Sequence, residues 1–181
     1  QWRRAEGRDE ITVLDKFTGA AIASIPEARE TDVDDAVAAA QAAFEVDPLP
    51  PHQRFSILAK ASELLQRDAE ALSELLVREV GKTIREARAE VSAASAAILN
   101  AAEEAKRIDG EIIPVDANPG SERRFAMLMH TPSGPVCAIT PFNAPLNQAA
   151  HKVASGIAAG SPVVLKPSEQ TPLTACRLAD I

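Results

Sequence analysis

Two short polar clusters carry the residues best suited to chemistry. Lys166 and Glu169 stand three residues apart in Lys166-Pro167-Ser168-Glu169, and Asn143 stands in Thr140-Pro141-Phe142-Asn143. An ammonium that donates and a carboxylate that accepts, on one tight turn, can grip a vicinal diol such as that of a ribose. A carboxylate there would also repel a 2′-phosphate, which favours NAD over NADP. Asn143 offers a neutral amide donor, the kind of group that can stabilise a developing oxyanion. Each feature has a plainer reading. Asn143 could simply cap a following helix, and Lys166 with Glu169 could be a surface ion pair.

The elements around these clusters give them a common location. Gly134-Pro135 turns the chain into an apolar run, Val136 to Thr140, expected to be a buried strand. Pro145 suits the first turn of a helix that would bury Leu146, Ala149, Val153 and Ile157, with Gly160 as its C-cap. Val163-Val164-Leu165 then follows Pro162 as a second buried strand. A strand, a crossover helix and a strand make a right-handed unit with parallel strands, so both clusters fall at the same end of neighbouring strands. Open α/β sheets bind ligands there. The next helix is expected to be capped by Thr171, with Pro172 at its first position. No G-x-G-x-x-G occurs, so the usual dinucleotide cradle and an ordinary short Rossmann reductase are set aside.

Upstream, residues 1–10 are charged and expected to form a loose arm. Ile11 to Leu14 and Ala20 to Ile25 flank Asp15-Lys16-Phe17-Thr18-Gly19 as a hairpin. A helix is expected from Thr31, capped by its hydroxyl with Asp34 three residues on, and packed by the stripe Val33, Val37, Ala40 and Phe44. Pro48, Pro50 and Pro51 break it. Helices follow with Phe55, Leu58, Ala61 and Leu65, and with Leu72, Leu75, Leu76 and Val80, the latter ended by Gly81. The longest segment, Thr83 to Ile108, carries a narrow stripe of Ile84, Ala87, Val91, Ala94, Ile98, Ala102 and Ala105. Its charges, including Arg85, Glu86, Glu90, Glu103 and Glu104, read as a solvated face. Ile112 to Val115 and Arg124 to His130 read as strands around a polar turn, with Pro114 suited to an edge. The second run is apolar on both faces and wants a partner on each, which a second subunit could supply. The lone His130 reads as structural.

The totals exclude several classes. Across 181 residues, 46% are hydrophobic and 25% charged, as in ordinary globular proteins. The net charge of -7 disfavours nucleic acid and anionic membranes as partners, and 3% aromatic content leaves little for base stacking. No apolar run is long enough to span a bilayer, and Gln1-Trp2-Arg3-Arg4 carries no signal-peptide core, so a cytoplasmic location is expected. The 2 cysteines, Cys137 and Cys176, lack a metal-binding spacing. Each reads as a small core hydrophobe, with a disulfide or reactive thiol as the alternative.

Ile139-Thr140-Pro141-Phe142-Asn143-Ala144-Pro145-Leu146, His151-Lys152, and Val163 through Pro172 closely resemble the NAD(P)-dependent aldehyde dehydrogenase family. Thr18-Gly19, the helix ending in Ala43-Phe44, and Gly81-Lys82 extend the resemblance over essentially the whole chain. It implies an α/β fold: N-terminal helices and the start of a Rossmann-like parallel sheet, with a projecting oligomerisation β-hairpin, truncated. The corresponding parts are residues 1–111, the hairpin 112–132, and a first βαβ unit at 133–181. Asn143 matches the family's oxyanion-stabilising Asn, and Lys166, Ser168 and Glu169 its ribose-binding turn. Ile139, Thr140 and Phe142 match positions lining the cofactor cleft, Phe142 replacing a frequent Trp. NAD is the implied cofactor, with NADP possible.

The resemblance further implies attack of a Cys thiolate on an aldehyde, hydride transfer to the nicotinamide, and release of a carboxylic acid by water. Neither Cys137 nor Cys176 matches that nucleophile. The family's thiol, its general-base Glu and its glycine-rich phosphate turn lie beyond Ile181, so the chain is expected to be an N-terminal part that is inactive alone. The run Asn143 to Gln148 resembles that of enzymes acting on small polar aldehydes such as lactaldehyde, phosphonoacetaldehyde or a semialdehyde. A homo-oligomer, dimer or tetramer, is implied for the full-length protein. The rival expectation is a non-catalytic nucleotide-binding or interaction module.

Overall fold

The computed structural model describes residues 7–46 and 49–181. Its core is helical. α2 (Pro51–Arg67) and α3 (Ala69–Val80) both pack on α4 (Ile84–Ala105), and α4 also lies along α5 (Pro145–Ala159). Leu58, Leu65, Leu72, Leu76, Val91, Ile98 and Leu146 fill the space between them. The alanine stripe of α4 is buried as its spacing requires, except for the first residue, Ile84, which is exposed. Small side chains let α2 and α4 approach closely enough for backbone contact. The Ser62 hydroxyl donates to the Ser95 carbonyl at 3.0 Å, and the Ser95 hydroxyl to the Ser62 carbonyl at 3.2 Å. These buried hydroxyls are thereby satisfied.

Among the described residues, three two-stranded sheets surround this core. β1 (Glu10–Leu14) and β2 (Ala21–Pro26) form the antiparallel N-terminal hairpin. Asp15 Oδ1 accepts from the Phe17 and Thr18 amides at 3.0 Å each, and this shapes the turn. The Lys16 amide donates to the Arg78 carbonyl at 2.9 Å, so the hairpin is tied to the end of α3. β3 (Glu111–Ile113) and β4 (Ala126–Leu128) pair antiparallel, Ile112 opposite Met127. β5 (Val136–Ile139) and β6 (Val163–Lys166) pair parallel on either side of α5, completing the expected βαβ unit.

Helix ends follow local chemistry. Thr83 accepts from the Glu86 amide and Glu86 returns to the Thr83 amide, a reciprocal cap for α4. Gly81 and Gly160 close α3 and α5 in the left-handed conformation, which costs glycine nothing. Gly156 serves a different purpose. A Cβ there would lie 2.4 Å from Val163 Cγ2, so its absence lets α5 settle onto β6.

Several expectations need correction. α1 spans Glu30–Glu45 and is capped from Arg29, whose amide donates to Asp32 at 2.7 Å; Thr31 and Asp34 play no such part. Asp32 also pairs with Arg8, so the described end of the N-terminal arm is anchored, while residues 1–6 lie outside the described residues, as does Pro48. Ala40 of the α1 stripe is buried, but Val33 and Val37 are exposed, because that part of the helix has little packed against it. Pro114 leaves β3 and opens a short 3₁₀ turn, Val115–Ala117, which shortens both strands of that hairpin. β5 is not a buried strand. Only Ala138 is buried, while Val136, Cys137 and Ile139 are exposed, Cys137 and Ile139 on the face opposite Ala138. Cys137 is therefore no core residue, and Cys176 is half-buried in α6 (Leu173–Asp180). Finally α6 begins at Leu173, with Pro172 at the cap position and Thr171 before it.

Candidate active site

The ends of β5 and β6 meet as their sequence order requires. The Thr140 amide donates to the Lys166 carbonyl at 3.1 Å, extending the parallel ladder by one bond past β5. Beyond that point the two polar turns run side by side. They are joined by the Thr171 hydroxyl, which donates to the Phe142 carbonyl at 3.4 Å. Lys16 of the N-terminal hairpin reaches the Gln170 carbonyl at 3.1 Å, bracing the second turn from outside.

On that second turn Lys166 Nζ lies 3.3 Å from Glu169 Oε2, and both side chains are more than half exposed. Glu169 is held below the usual carboxylate range, first by its own backbone amide and then by Lys166. The pair is thus a charged donor and acceptor presented to solvent. Ser168 points the other way. It is buried, and its hydroxyl accepts from the Gln170 amide at 3.2 Å, which fixes the curl of the turn.

On the first turn Asn143 is exposed and makes no cap for α5. The cap position is Ala144, whose own side chain offers no acceptor. The plainer reading of Asn143 as the cap residue of α5 is therefore excluded, and Asn143 is exposed beside the strand ends. Ile139 and Phe142 are exposed along the same edge, 64% and 54%, although apolar. Thr140 is the opposite case: it is 4% exposed, and its hydroxyl has no hydrogen-bond partner among the described residues. A buried hydroxyl without a partner costs free energy, so this strand end has an unmet polar requirement.

Fold, strand-end geometry and residue types converge on one comparison. The aldehyde dehydrogenase family model matches residues 2–181. The chain belongs to the aldehyde dehydrogenase family. Among curated relatives, the 3-sulfolactaldehyde dehydrogenase of Priestia aryabhattai is 46% identical over 173 residues, covering 96% of this chain and 36% of that protein. The succinate semialdehyde dehydrogenase of Acinetobacter baylyi is 35% identical over 182 residues, covering 37% of its length. Among solved structures, the NADP-dependent glyceraldehyde-3-phosphate dehydrogenase of Bacillus halodurans, complexed with NADP, superposes with a TM-score of 0.95 at 33% identity, covering 99% of this chain and 38% of that one. Aldehyde dehydrogenase 21 of Physcomitrella patens, in complex with the product succinate, gives 0.91 at 37% identity, covering 98% and 37%. The chain thus spans little more than a third of the length of the aldehyde dehydrogenases that it matches.

Two further aldehyde dehydrogenase residues in this chain are poorly signalled by their type. Glu90, expected on a solvated face, is 7% exposed. Its Oε1 accepts from the Leu146 and Asn147 amides at 3.1 Å each, and its Oε2 pairs with Lys82. Glu79 is fully buried and accepts from the Leu173 amide at 2.8 Å, the Thr174 amide at 3.0 Å and the Thr174 hydroxyl. Their spacing held a signal. Glu79 follows Leu72, Leu75 and Leu76 on the apolar stripe of α3, and Glu90 falls three after Ala87 and four before Ala94. Among the described residues no group of three or more His, Cys, Asp or Glu could hold a metal, and no helix is long and apolar enough to cross a membrane.

Proposed function

We propose that this chain contributes the ribose grip and one oxyanion donor to an NAD(P)-dependent oxidation of a small polar aldehyde to its carboxylic acid. The observation that carries the reading is the side-by-side placement of the exposed Lys166–Glu169 pair and the uncapped Asn143 at two joined strand ends. The residues fit a nicotinamide dinucleotide. Lys166 would donate to, and Glu169 accept from, the adenosine ribose hydroxyls. The apolar edge formed by Ile139 and Phe142 would lie against the cofactor, beside the unsatisfied Thr140 hydroxyl, while Ser168 shapes the turn from within. When bound, the cofactor supplies the hydride acceptor.

The work of the chain itself is electrostatic and geometric. Asn143 places an N–H where negative charge would develop on the aldehyde oxygen, and an amide oriented in advance needs no reorganisation as that charge appears. The attacking thiol comes from outside residues 1–181 in this reading. Cys137 stands on β5 three residues before the strand-end Thr140, and Cys176 is half-buried in α6 with its thiol pushed up by burial and by Glu79. A small polar substrate is supported by relatives whose names specify sulfolactaldehyde and succinate semialdehyde. The exposed β3–β4 hairpin supports a homo-oligomer.

The test is a titration with NAD and NADP, followed by aldehyde-dependent reduction of the tighter binder across a panel of anionic and neutral short aldehydes. Saturable cofactor binding, and turnover by the protein that carries the thiol but not by residues 1–181 alone, is the expected result. Turnover by residues 1–181 would overturn the assignment of the nucleophile, and absence of cofactor binding by the thiol-bearing protein would overturn the site.

A further inference from the structure

We infer that Glu79 and Glu90 are positioning residues, each holding one of the two active-site turns by capping the helix that follows it. The inference rests on the roles assigned above to Asn143 and to the Lys166–Glu169 turn, but the hydrogen bonds that carry it are independent of those roles.

The first amides of a helix have no partner within the helix and need an acceptor from elsewhere. A Ser, Thr, Asp or Asn at the cap position normally provides it. α5 and α6 both lack one, since their cap positions are Ala144 and Pro172, which have no side-chain acceptor. Pro145 has no N–H, so the orphan donors of α5 are the Leu146 and Asn147 amides, and both go to Glu90. The first two amides of α6, of Leu173 and Thr174, both go to Glu79, which the Thr174 hydroxyl joins. These contacts span 56 to 95 residues of sequence.

Both carboxylates come from one corner of the fold. Glu79 is the last but one residue of α3, Glu90 lies in the second turn of α4, and Gly81-Lys82-Thr83 joins them. Negative charge at a helix N-terminus is favoured by the helix dipole, and more so where water is excluded. Asn143 immediately precedes Ala144, and Glu169 stands three residues before Pro172. The corner therefore sets the distance and angle between an oxyanion donor and a ribose grip while touching neither ligand. Glu90 acts on the chemistry through the Asn143 turn, and Glu79 acts on cofactor binding through the Lys166–Glu169 turn.

The experiment uses the catalytically complete protein, NAD or NADP as the probe, and the aldehyde it turns over fastest. Glu79→Met and Glu90→Met remove the acceptors at nearly constant volume, and Glu79→Gln and Glu90→Gln each retain one acceptor oxygen. Loss of charge-assisted bonds of this kind is expected to act about tenfold, in opposite columns. Glu79→Met raises the cofactor dissociation constant with kcat at saturating cofactor nearly unchanged. Glu90→Met lowers kcat with cofactor affinity nearly unchanged, and the Gln variants recover part of each loss. Amide hydrogen exchange gives the second readout: Leu173 and Thr174 lose protection only with Glu79, Leu146 and Asn147 only with Glu90.

Uniform loss of both constants in both variants, or unchanged constants in folded variants, would overturn the inference. If a Met variant gives no cooperative melt, Thr174→Val and the Gln variants carry the same test. Wild-type protein that binds no cofactor would instead overturn the site reading, while the exchange pattern still decides whether the two carboxylates hold the turns.

Discussion

Asn143 and Glu169 are both exposed and both polar, yet they call for opposite measurements. Asn143 makes no structural bond at the α5 cap, so Asn143→Ala should leave the melting temperature nearly unchanged. Removal of one oxyanion donor is expected to lower kcat about 10²–10³-fold with little change in cofactor affinity. A stopped or steady-state assay at saturating cofactor checks this, and a loss confined to KM would contradict it. Glu169 should instead govern cofactor choice. In the proposed ribose grip its carboxylate would repel a 2′-phosphate, so Glu169→Gln should weaken NAD binding relative to NADP binding, both read from dissociation constants. The pH dependence has a definite sign. Because the folded Glu169 titrates below the usual range, the contribution proposed for it in cofactor binding should be complete above the ordinary carboxylate value of 4.5. It persists as the pH falls through that value and is lost only below it. A binding curve that instead collapses near neutral pH would place the relevant acid elsewhere.

At the scale of elements, α5 and its seat on β6 connect the two turns, and Gly156 is where that seat is tightest. Gly156→Ala gains helix propensity but drives a methyl into Val163. Overpacking outweighs propensity here, and a net loss of about 1–3 kcal/mol is expected, measured by denaturant midpoint. A neutral or stabilising result would show that Val163 moves aside freely. The sequence reveals this element well. Pro145 at the start, Gly160 at the end and the buried Leu146 between them all lie where local chemistry and the 3.6-residue period put them. Strand ends were equally legible, because Pro135 and Pro162 start β5 and β6 in step. What escaped was long-range. Whether Glu90 faces water or a helix end is decided by residues 56 positions away, and its type argues for water. The exposure of β5 escaped for the reverse reason: Val136, Cys137 and Ile139 have the composition of buried residues but are exposed. Arg29 at the α1 cap replaced Thr31 because Asp32 could reach back to its amide and also pair with Arg8.

For the molecule as a whole, exposed apolar side chains occur on several elements, and one group of them lies on the β3–β4 hairpin. On the β3–β4 hairpin Ile112, Phe125, Met127 and Met129 are 57–72% exposed, and among the described residues each strand of the hairpin pairs only with the other. The β5–β6 sheet likewise has an outer edge on each strand with no neighbour among the described residues. Such edges and patches recruit other strands, and in water they favour association. The net charge of -7 opposes that association only weakly at physiological salt, since screening limits its reach. The two surfaces predict different behaviour. A hairpin that seats a second copy should give a discrete, reversible oligomer, whereas the open sheet edge should give heterogeneous aggregates. Met127→Asp together with Phe125→Asp introduces charge on the hairpin alone and leaves the residues of both active-site turns unchanged. Sedimentation velocity should then show the discrete oligomer falling to monomer at micromolar concentration, with cofactor affinity retained. An oligomer unchanged by both substitutions would move the interface off the hairpin, and loss of cofactor binding on dissociation would mean that the neighbouring copy helps to hold the two turns in place.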